Sequence, residues 1–315
     1  MEIKESKAIA DKSPPRRRNL ILRGFSALAV LAVLYYVLVW DLHHRGAWAW
    51  AILLSVFTFL FLREFYRLAV ACGAEPFVWF GCFVGPLWML ALEWDYSGGS
   101  LAAGFPGAAA ADAVMALGII GSMLLQLTRK SNDRALSSVG MTILGLVYCA
   151  YLPSFLLRMR HMAFEPSGWP MQGVELVVVC VFVSKVADVG ALMTGKRWGK
   201  HKLIPRLSPG KTWEGAIGGL VISLLLLQLM AWTDPALCLN HLGTGMLLLL
   251  AFTLALAGLG GDLVESCFKR NSQMKDAGAG VPGFGGILDL SDSLFLAAPV
   301  MYYFLLASGA RMLLE

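Results

Sequence analysis

Residues 244–308 read TGMLLLLAFTLALAGLG, then GDLVESCFKRNSQMKDAGAG, then VPGFGGILDL, then SDSLFLAAPVMYYFLLAS. Two apolar segments, each long enough to cross a bilayer, enclose a charged, glycine-rich one. That middle stretch, from Asp262 to Asp292, holds five acids (Asp262, Glu265, Asp276, Asp289, Asp292) and three bases (Lys269, Arg270, Lys275). Ionisable groups beside a membrane span are costly, which makes them a functional-site expectation by default. The pattern predicts a metal and phosphate site set into an all-helical, polytopic membrane protein.

The rest of the chain agrees with that fold class. Of 315 residues, 57% are hydrophobic and 15% charged, and the mean hydropathy is +0.66. Soluble domains run at about 45–50% apolar and about 25% charged. A span needs about 20 predominantly apolar residues. Nine segments qualify: 20–41, 46–62, 74–93, 106–127, 138–157, 172–194, 215–233, 244–263 and 287–308. Of these, 46–62 is short, and 74–93 is broken by Gly81, Gly85 and Pro86. The Ala/Gly-rich 101–118 suits close helix packing. Arg63, Glu64, Phe65, Tyr66 and Arg67 read as an interfacial turn with snorkelling arginines. The scattered cysteines read as buried thiols rather than zinc ligands or disulfides.

Basic residues set the expected orientation. With the N-terminus in the cytoplasm, 21 of the 26 Lys and Arg fall on the cytoplasmic side and four on the other (Arg45, Arg158, Arg160, Arg311), while Lys185 lies inside a span. Arg158 and Arg160 dissent locally. The expected organisation is a polar, basic tail at 1–18, N-terminal spans over 19–171, and a catalytic membrane domain over 172–315. Its loops 195–214 and 264–286 face the cytoplasm, where nucleotides are.

Two charged constellations carry the chemistry. The first runs from Lys185 to Gly215, SKVADVGALMTGKRWGKHKLIPRLSPGKTWEG counted from Ser184. Lys185 and Asp188, at i and i+3, can pair on one helical face; a packing pair and a site role are both open. A P-loop does not fit. Gly190 to Lys196 matches G-x4-G-K, but Arg197 stands where Ser or Thr belongs, and Pro205 stands where the Gly210-Lys211-Thr212 version needs its first glycine. Lysines, Ser208, Thr212 and backbone N–H groups at a helix start remain phosphate chemistry. In the second constellation Asp262, Ser266, Lys269 and Arg270 fall on one helix face. Lys275 and Asp276 follow, then glycines that let backbone approach a phosphate. Asp289 and Asp292 share a face of the next helix. Carboxylates converging with basic groups suit Mg²⁺ holding a nucleoside triphosphate.

Two motifs carry a resemblance. One is Ser266-x2-Lys269-Arg270-x4-Lys275-Asp276, followed by Pro282-Gly283-x-Gly285-Gly286-x2-Asp289-x2-Asp292. The other runs from Asp188 through Gly199-Lys200-His201-Lys202-Leu203 to Ser208-Pro209-x-Lys211-Thr212-Trp213-Glu214-Gly215. Together they resemble the phosphatidate cytidylyltransferases (CDP-diacylglycerol synthases), over roughly 185–295. The resemblance implies a Mg²⁺-dependent membrane nucleotidyltransferase of phospholipid synthesis, joining CTP and phosphatidate into CDP-diacylglycerol and pyrophosphate, and leaves a second cation open. It implies metal ligands Asp262, Asp289 and Asp292. It implies catalytic roles for these and for Lys269, Arg270, Lys275 and Asp276. Substrate contacts would come from Asp188, Lys200, His201, Ser208, Lys211, Thr212, Glu214 and Ser266. The implied partners are CTP, phosphatidate, membrane lipid and a second copy in a homodimer, with no nucleic acid. The implied location is a multi-pass integral membrane protein, in the inner membrane if bacterial. Two positions depart from the family pattern: Phe284 replaces a histidine, and Leu290 replaces an arginine. Two alternatives remain: a CTP-dependent polyprenol or phytol kinase-like enzyme, whose alcohol acceptor would need a base, and an ion-coupled transporter using Lys185, Asp188 and Asp289. Charges clustered at the surface rather than the midplane argue against the transporter.

Overall fold

A computed structural model describes residues 48–98, 109–164, 171–233, 243–274 and 286–309, with 36, 37, 40, 311 and 312. The expected first span, 20–41, lies almost wholly outside the described residues. The described part is helical: α1 (Trp48–Ala71), α2 (Val78–Tyr96), α3 (Ala109–Leu127), α4 (Ala135–Leu146), α5 (Ser154–Arg160), α6 (Gly173–Trp198), α7 (Trp213–Thr233), α8 (Gly243–Asn271) and α9 (Leu288–Ala307). Seven helical segments among the described residues are long and apolar enough to cross a membrane, with α4 and α5 counting as one from Ala135 to Arg160. They mark an integral membrane protein. The helix α2, read as a span from the sequence, is not among the seven; it carries Glu93 and Asp95 near its end.

Four details differ from the sequence expectations, each for a local reason. The stretch 63–67 is not a turn. It continues α1, because Glu64, Phe65, Tyr66 and Leu68 are buried while Arg63 and Arg67, one turn apart, stay exposed. Gly81 and Gly85 do not break α2. They receive the Tyr66 ring and the Leu62 side chain of α1, and Pro86 lies inside a continuous helix. The 138–157 span is interrupted by a π-turn at Val147–Tyr151, just before Pro153. Such widened turns cluster at functional places, and this one inserts Tyr148 between Phe268 of α8 and Phe295 of α9, at ring separations of 5.4 and 5.0 Å. The 195–214 loop holds a β-hairpin, β3 (Lys202–Ile204) against β4 (Ser208–Thr212), paired Lys202 to Thr212.

The dissenting Arg158 has a packing role. Its guanidinium lies over Trp88, Tyr151 and Phe155, 5.4–6.0 Å from the ring centres, so aromatic faces stabilise the cation where it is. Beside it, His161 Nε2 meets the buried Glu93 Oε2 at 2.8 Å and stacks on Tyr96 at 4.7 Å. Strands β1 (Met162–Phe164), β2 (Met171–Gln172) and β5 (Arg311–Met312) form a small antiparallel sheet in order β2-β1-β5.

Two helix pairs position the charged groups. One close seam joins α6 to α7; of the Ala/Gly-rich 101–118, residues 101–108 lie outside the described residues, and Gly118 packs on Val84 of α2. A Cβ on Gly215 would meet Ala191 O at 2.8 Å, and one on Gly219 would meet Ala187 O at 2.6 Å. Small residues allow such approach where no side chain could interlock. The second pair is α8 on α9. At Gly261 a Cβ would run into the backbone carbonyl of Asp292. Glycine is therefore required beside Asp262 for the two acids to meet. At 29 residues α8 is about 43 Å long, against a hydrocarbon core of about 30 Å. The extra length leaves room for its polar end, from Asp262 on, to carry charged residues.

Candidate active site

The inward face of α8 presents Asp262, Glu265 and Lys269, at i, i+3 and i+7. Opposite them α9 presents Asp289 and Asp292. Carboxylate oxygens of Asp262, Glu265 and Asp292 lie within 4.8 Å of one another. Glu265 is fully buried; Lys269 Nζ donates to its Oε2 at 3.2 Å, while its Oε1 has no hydrogen-bond partner. Asp292 is buried too and accepts from the Ser293 N–H at 2.7 Å. Asp289 stands slightly apart. Its Oδ1 takes Lys269 Nζ at 3.1 Å, and its Oδ2 takes the Gly286 N–H at 3.1 Å.

The first constellation closes the site from the other side. Lys211, on β4, pairs with Asp262 Oδ2 at 2.6 Å. Arg270 Nε donates to the Leu207 carbonyl at 3.1 Å, tying α8 to the hairpin. Lys185 donates to Ser293 Oγ at 2.7 Å and pairs with Asp188 at 3.4 Å, as their spacing predicts. Thr212 is buried, and its Oγ1 accepts the Gly215 N–H at 3.1 Å, which caps α7. Glu214 is engaged with His201, accepting from its backbone N–H and meeting its Nδ1 at 2.6 Å. Lys200 is exposed, and Ser266 and Ser208 are half-buried. Lys275, Asp276 and Phe284 lie outside the described residues; Leu290 is half-buried on α9.

These residues fit a divalent cation. With all acids ionised, five carboxylates (Asp188, Asp262, Glu265, Asp289, Asp292) face three ammonium groups (Lys185, Lys211, Lys269). The partnerless Glu265 oxygen points to a ligand as well. Oxygens around a bound Mg²⁺ lie roughly 4 Å apart at most, so a small side-chain rotation closes the cluster. The geometry thus groups Glu265 with Asp262 and Asp292, whereas sequence reasoning grouped Asp289 with them and gave Glu265 no role. The signal was available: Glu265 shares the inward face of α8 with Asp262 and Lys269.

Next to this cluster is a cavity of about 670 Å³ between α6, α7 and α8. Asp188, Lys196, Ser208, Lys211 and Asp262 line its polar end. Leu192, Ile217, Phe252 and Leu256 line its apolar part and are widely exposed. The cavity therefore has a charged end and exposed apolar walls.

The model of the cytidylyltransferase family matches residues 21–308. The chain belongs to the cytidylyltransferase family. It is 29% identical to the phosphatidate cytidylyltransferase of Synechocystis sp. over 295 residues, 87% of this chain and 94% of that protein. It is 40% identical to the proteins of the same name from Haemophilus influenzae and Pseudomonas aeruginosa. Those matches cover 47% and 45% of this chain, and about half of each relative, 50% and 51%. Family membership thus extends over the N-terminal helices as well as the charged constellations. One N-terminal contact to the start of α9 escaped sequence reasoning, which read Glu64 as part of an interfacial turn: the Glu64 carboxylate accepts the Leu288 N–H.

Proposed function

We propose that the chain transfers the cytidylyl group of CTP to phosphatidate, giving CDP-diacylglycerol and pyrophosphate, with Mg²⁺ at the carboxylate cluster. The observation that carries this reading is the cavity with a charged end and apolar walls. A lipid phosphate needs both: cations and a metal for its head, and an apolar path for its acyl chains. The names of the relatives support pairing CTP with phosphatidate.

In this reading an oxygen of the phosphatidate phosphate attacks the α-phosphorus of CTP. That bond forms as the bond from the α-phosphorus to the bridging oxygen breaks, and the electron pair leaves on pyrophosphate. The attacking group is already anionic at neutral pH, so no side chain has to take a proton from it. Lys211, held against Asp262, stabilises negative charge gathering on the leaving phosphates. Arg270 spends its Nε on the hairpin and keeps its other N–H groups for phosphate oxygens. Lys269 bridges Glu265 and Asp289 and fixes how α8 and α9 face each other. Asp262, Glu265 and Asp292 would hold the Mg²⁺, which when bound draws phosphate oxygens together and offsets their charge. The charged end faces the cytoplasm in this reading, the N-terminus lies on the same side, the chain crosses the membrane several times, and the protein works as a homodimer.

The test uses purified protein, phosphatidate and CTP labelled at either end. An α-label should enter the lipid and a γ-label should leave in pyrophosphate, only with Mg²⁺, and Asp292→Asn should abolish both. A γ-label found in the lipid would establish the kinase reading instead. No nucleotide consumption with any lipid acceptor would rule the proposal out.

A further inference from the structure

Among the described residues, one buried polar contact ties α1 to the start of α9. Glu64 is on α1, buried at 6% exposure. Its Oε2 accepts the backbone N–H of Leu288 at 2.8 Å. Leu288 is the first residue of α9, the helix that carries Asp289 and Asp292. The residue at the N-cap of α9, Ile287, makes no side-chain capping bond. An orphan N–H at a helix start has to be satisfied from somewhere, and here a carboxylate from another helix does it. A negative charge at that end also interacts favourably with the helix dipole.

Aromatic packing makes the contact directional. Phe61 of α1 meets Phe295 of α9 edge-on at 5.0 Å, and Phe65 meets Phe268 of α8 at 5.8 Å. Tyr148 fills the angle between Phe268 and Phe295. The rings set how far α8 and α9 stand from α1, while Lys269 and the Gly261 contact hold α9 against α8. A hydrogen bond to one named N–H ties the first turn of α9 to α1. Asp292 lies four residues after Leu288, one turn further on the same face, so fixing Leu288 fixes where Asp292 points.

We propose that Glu64 is a positioning residue for the reaction: it locks the first turn of α9 so that the Asp292 carboxylate meets those of Asp262 and Glu265. This rests on the reading of that cluster as the divalent-cation site. An acid buried in an apolar helix is costly, and a hydrophobic residue would pack α1 against α9 at least as well. What a hydrophobic residue cannot supply is the acceptor at Leu288.

The experiment compares Glu64→Ala, Glu64→Gln and Glu64→Asp in the full-length protein in lipid nanodiscs. Two quantities are read: amide hydrogen exchange of residues 286–292 without metal or nucleotide, and the Mg²⁺ concentration giving half-maximal activity. For Glu64→Ala, exchange at 286–292 should speed up about tenfold while that of α6 and α7 stays unchanged. The Mg²⁺ requirement should rise by about 10- to 100-fold, the usual cost of losing a residue that orients a ligand, with the KM for CTP nearly constant. Glu64→Gln keeps a neutral acceptor and should recover most of both. If Glu64→Ala does not accumulate, Glu64→Asp carries the test, since its shorter side chain pulls the acceptor away from Leu288. Native exchange at 286–292, or an unchanged Mg²⁺ requirement, in a folded Ala or Asp variant would overturn the proposal. If instead Asp292→Asn leaves the Mg²⁺ response untouched, the metal reading of the cluster fails, and the exchange data still decide whether Glu64 holds α9.

Discussion

Glu265 has the environment of a ligand more than of a structural acid: no exposure, one lysine on one oxygen, and no hydrogen-bond donor on the other, with the Asp262 and Asp292 carboxylates close by. Replacing it by glutamine keeps its volume and removes the charge a cation would meet. Glu265→Gln should therefore weaken the Mg²⁺ response by at least the roughly 10- to 100-fold typical of losing even a ligand's supporting partner, read as the Mg²⁺ dependence of CTP turnover. Lys211 is the other residue to which the proposed reaction gives a task. Lys211→Met keeps the stem and loses the ammonium beside Asp262, and should lower kcat about a hundredfold, as loss of a single charge-stabilising donor does. Saturating CTP should not restore it. At this scale the sequence was informative about residue types and less so about partners. Spacing placed Lys185 with Asp188. It could not show that Asp289 turns to Lys269 and the Gly286 N–H, because that depends on how far α9 is offset along α8.

Helix crossings decide the offset, and glycine decides the crossings. At Gly261 the Asp292 carbonyl occupies the space a methyl group would need. Gly261→Ala should push α9 away from α8 at a cost of about 1–3 kcal/mol, and reduce activity far more than a methyl elsewhere on α8. Comparing melting temperature and turnover with an alanine at Gly245, which has open space around it, isolates the effect. The hairpin has its own check. Thr212→Val removes the cap of α7 and should cost about 1 kcal/mol, seen as a lowered Tm. Most helices were legible because apolar runs of span length have few other solutions. The hairpin was not, since its three-residue and five-residue strands carry no alternating pattern and are held by Arg270 and by Glu214 with His201. The helical course of 63–67 was missed because two arginines and a glutamate look interfacial until one sees that the acid faces inward.

Across the whole molecule, the orientation read from basic residues makes a prediction that labelling can check. With Cys72, Cys238 and Cys267 replaced, a cysteine at Lys200 should react with an impermeant maleimide only from the cytoplasmic side. Reaction from the opposite side in sealed cells would reverse the topology. Fold class and chemistry were readable from the composition and the two charged constellations, while the part played by the N-terminal helices was not, because Glu64 and Leu288 are 224 positions apart. That separation also has a meaning in time. At about 5–20 residues per second, a ribosome needs roughly ten to forty-five seconds to go from one to the other. For nearly all of that interval α1 is already made, while the amide that its glutamate accepts in the finished protein does not yet exist. Completion of the last helix is then what quenches an otherwise unmet acid, so a nascent chain stopped before Leu288 carries its own mark of being unfinished.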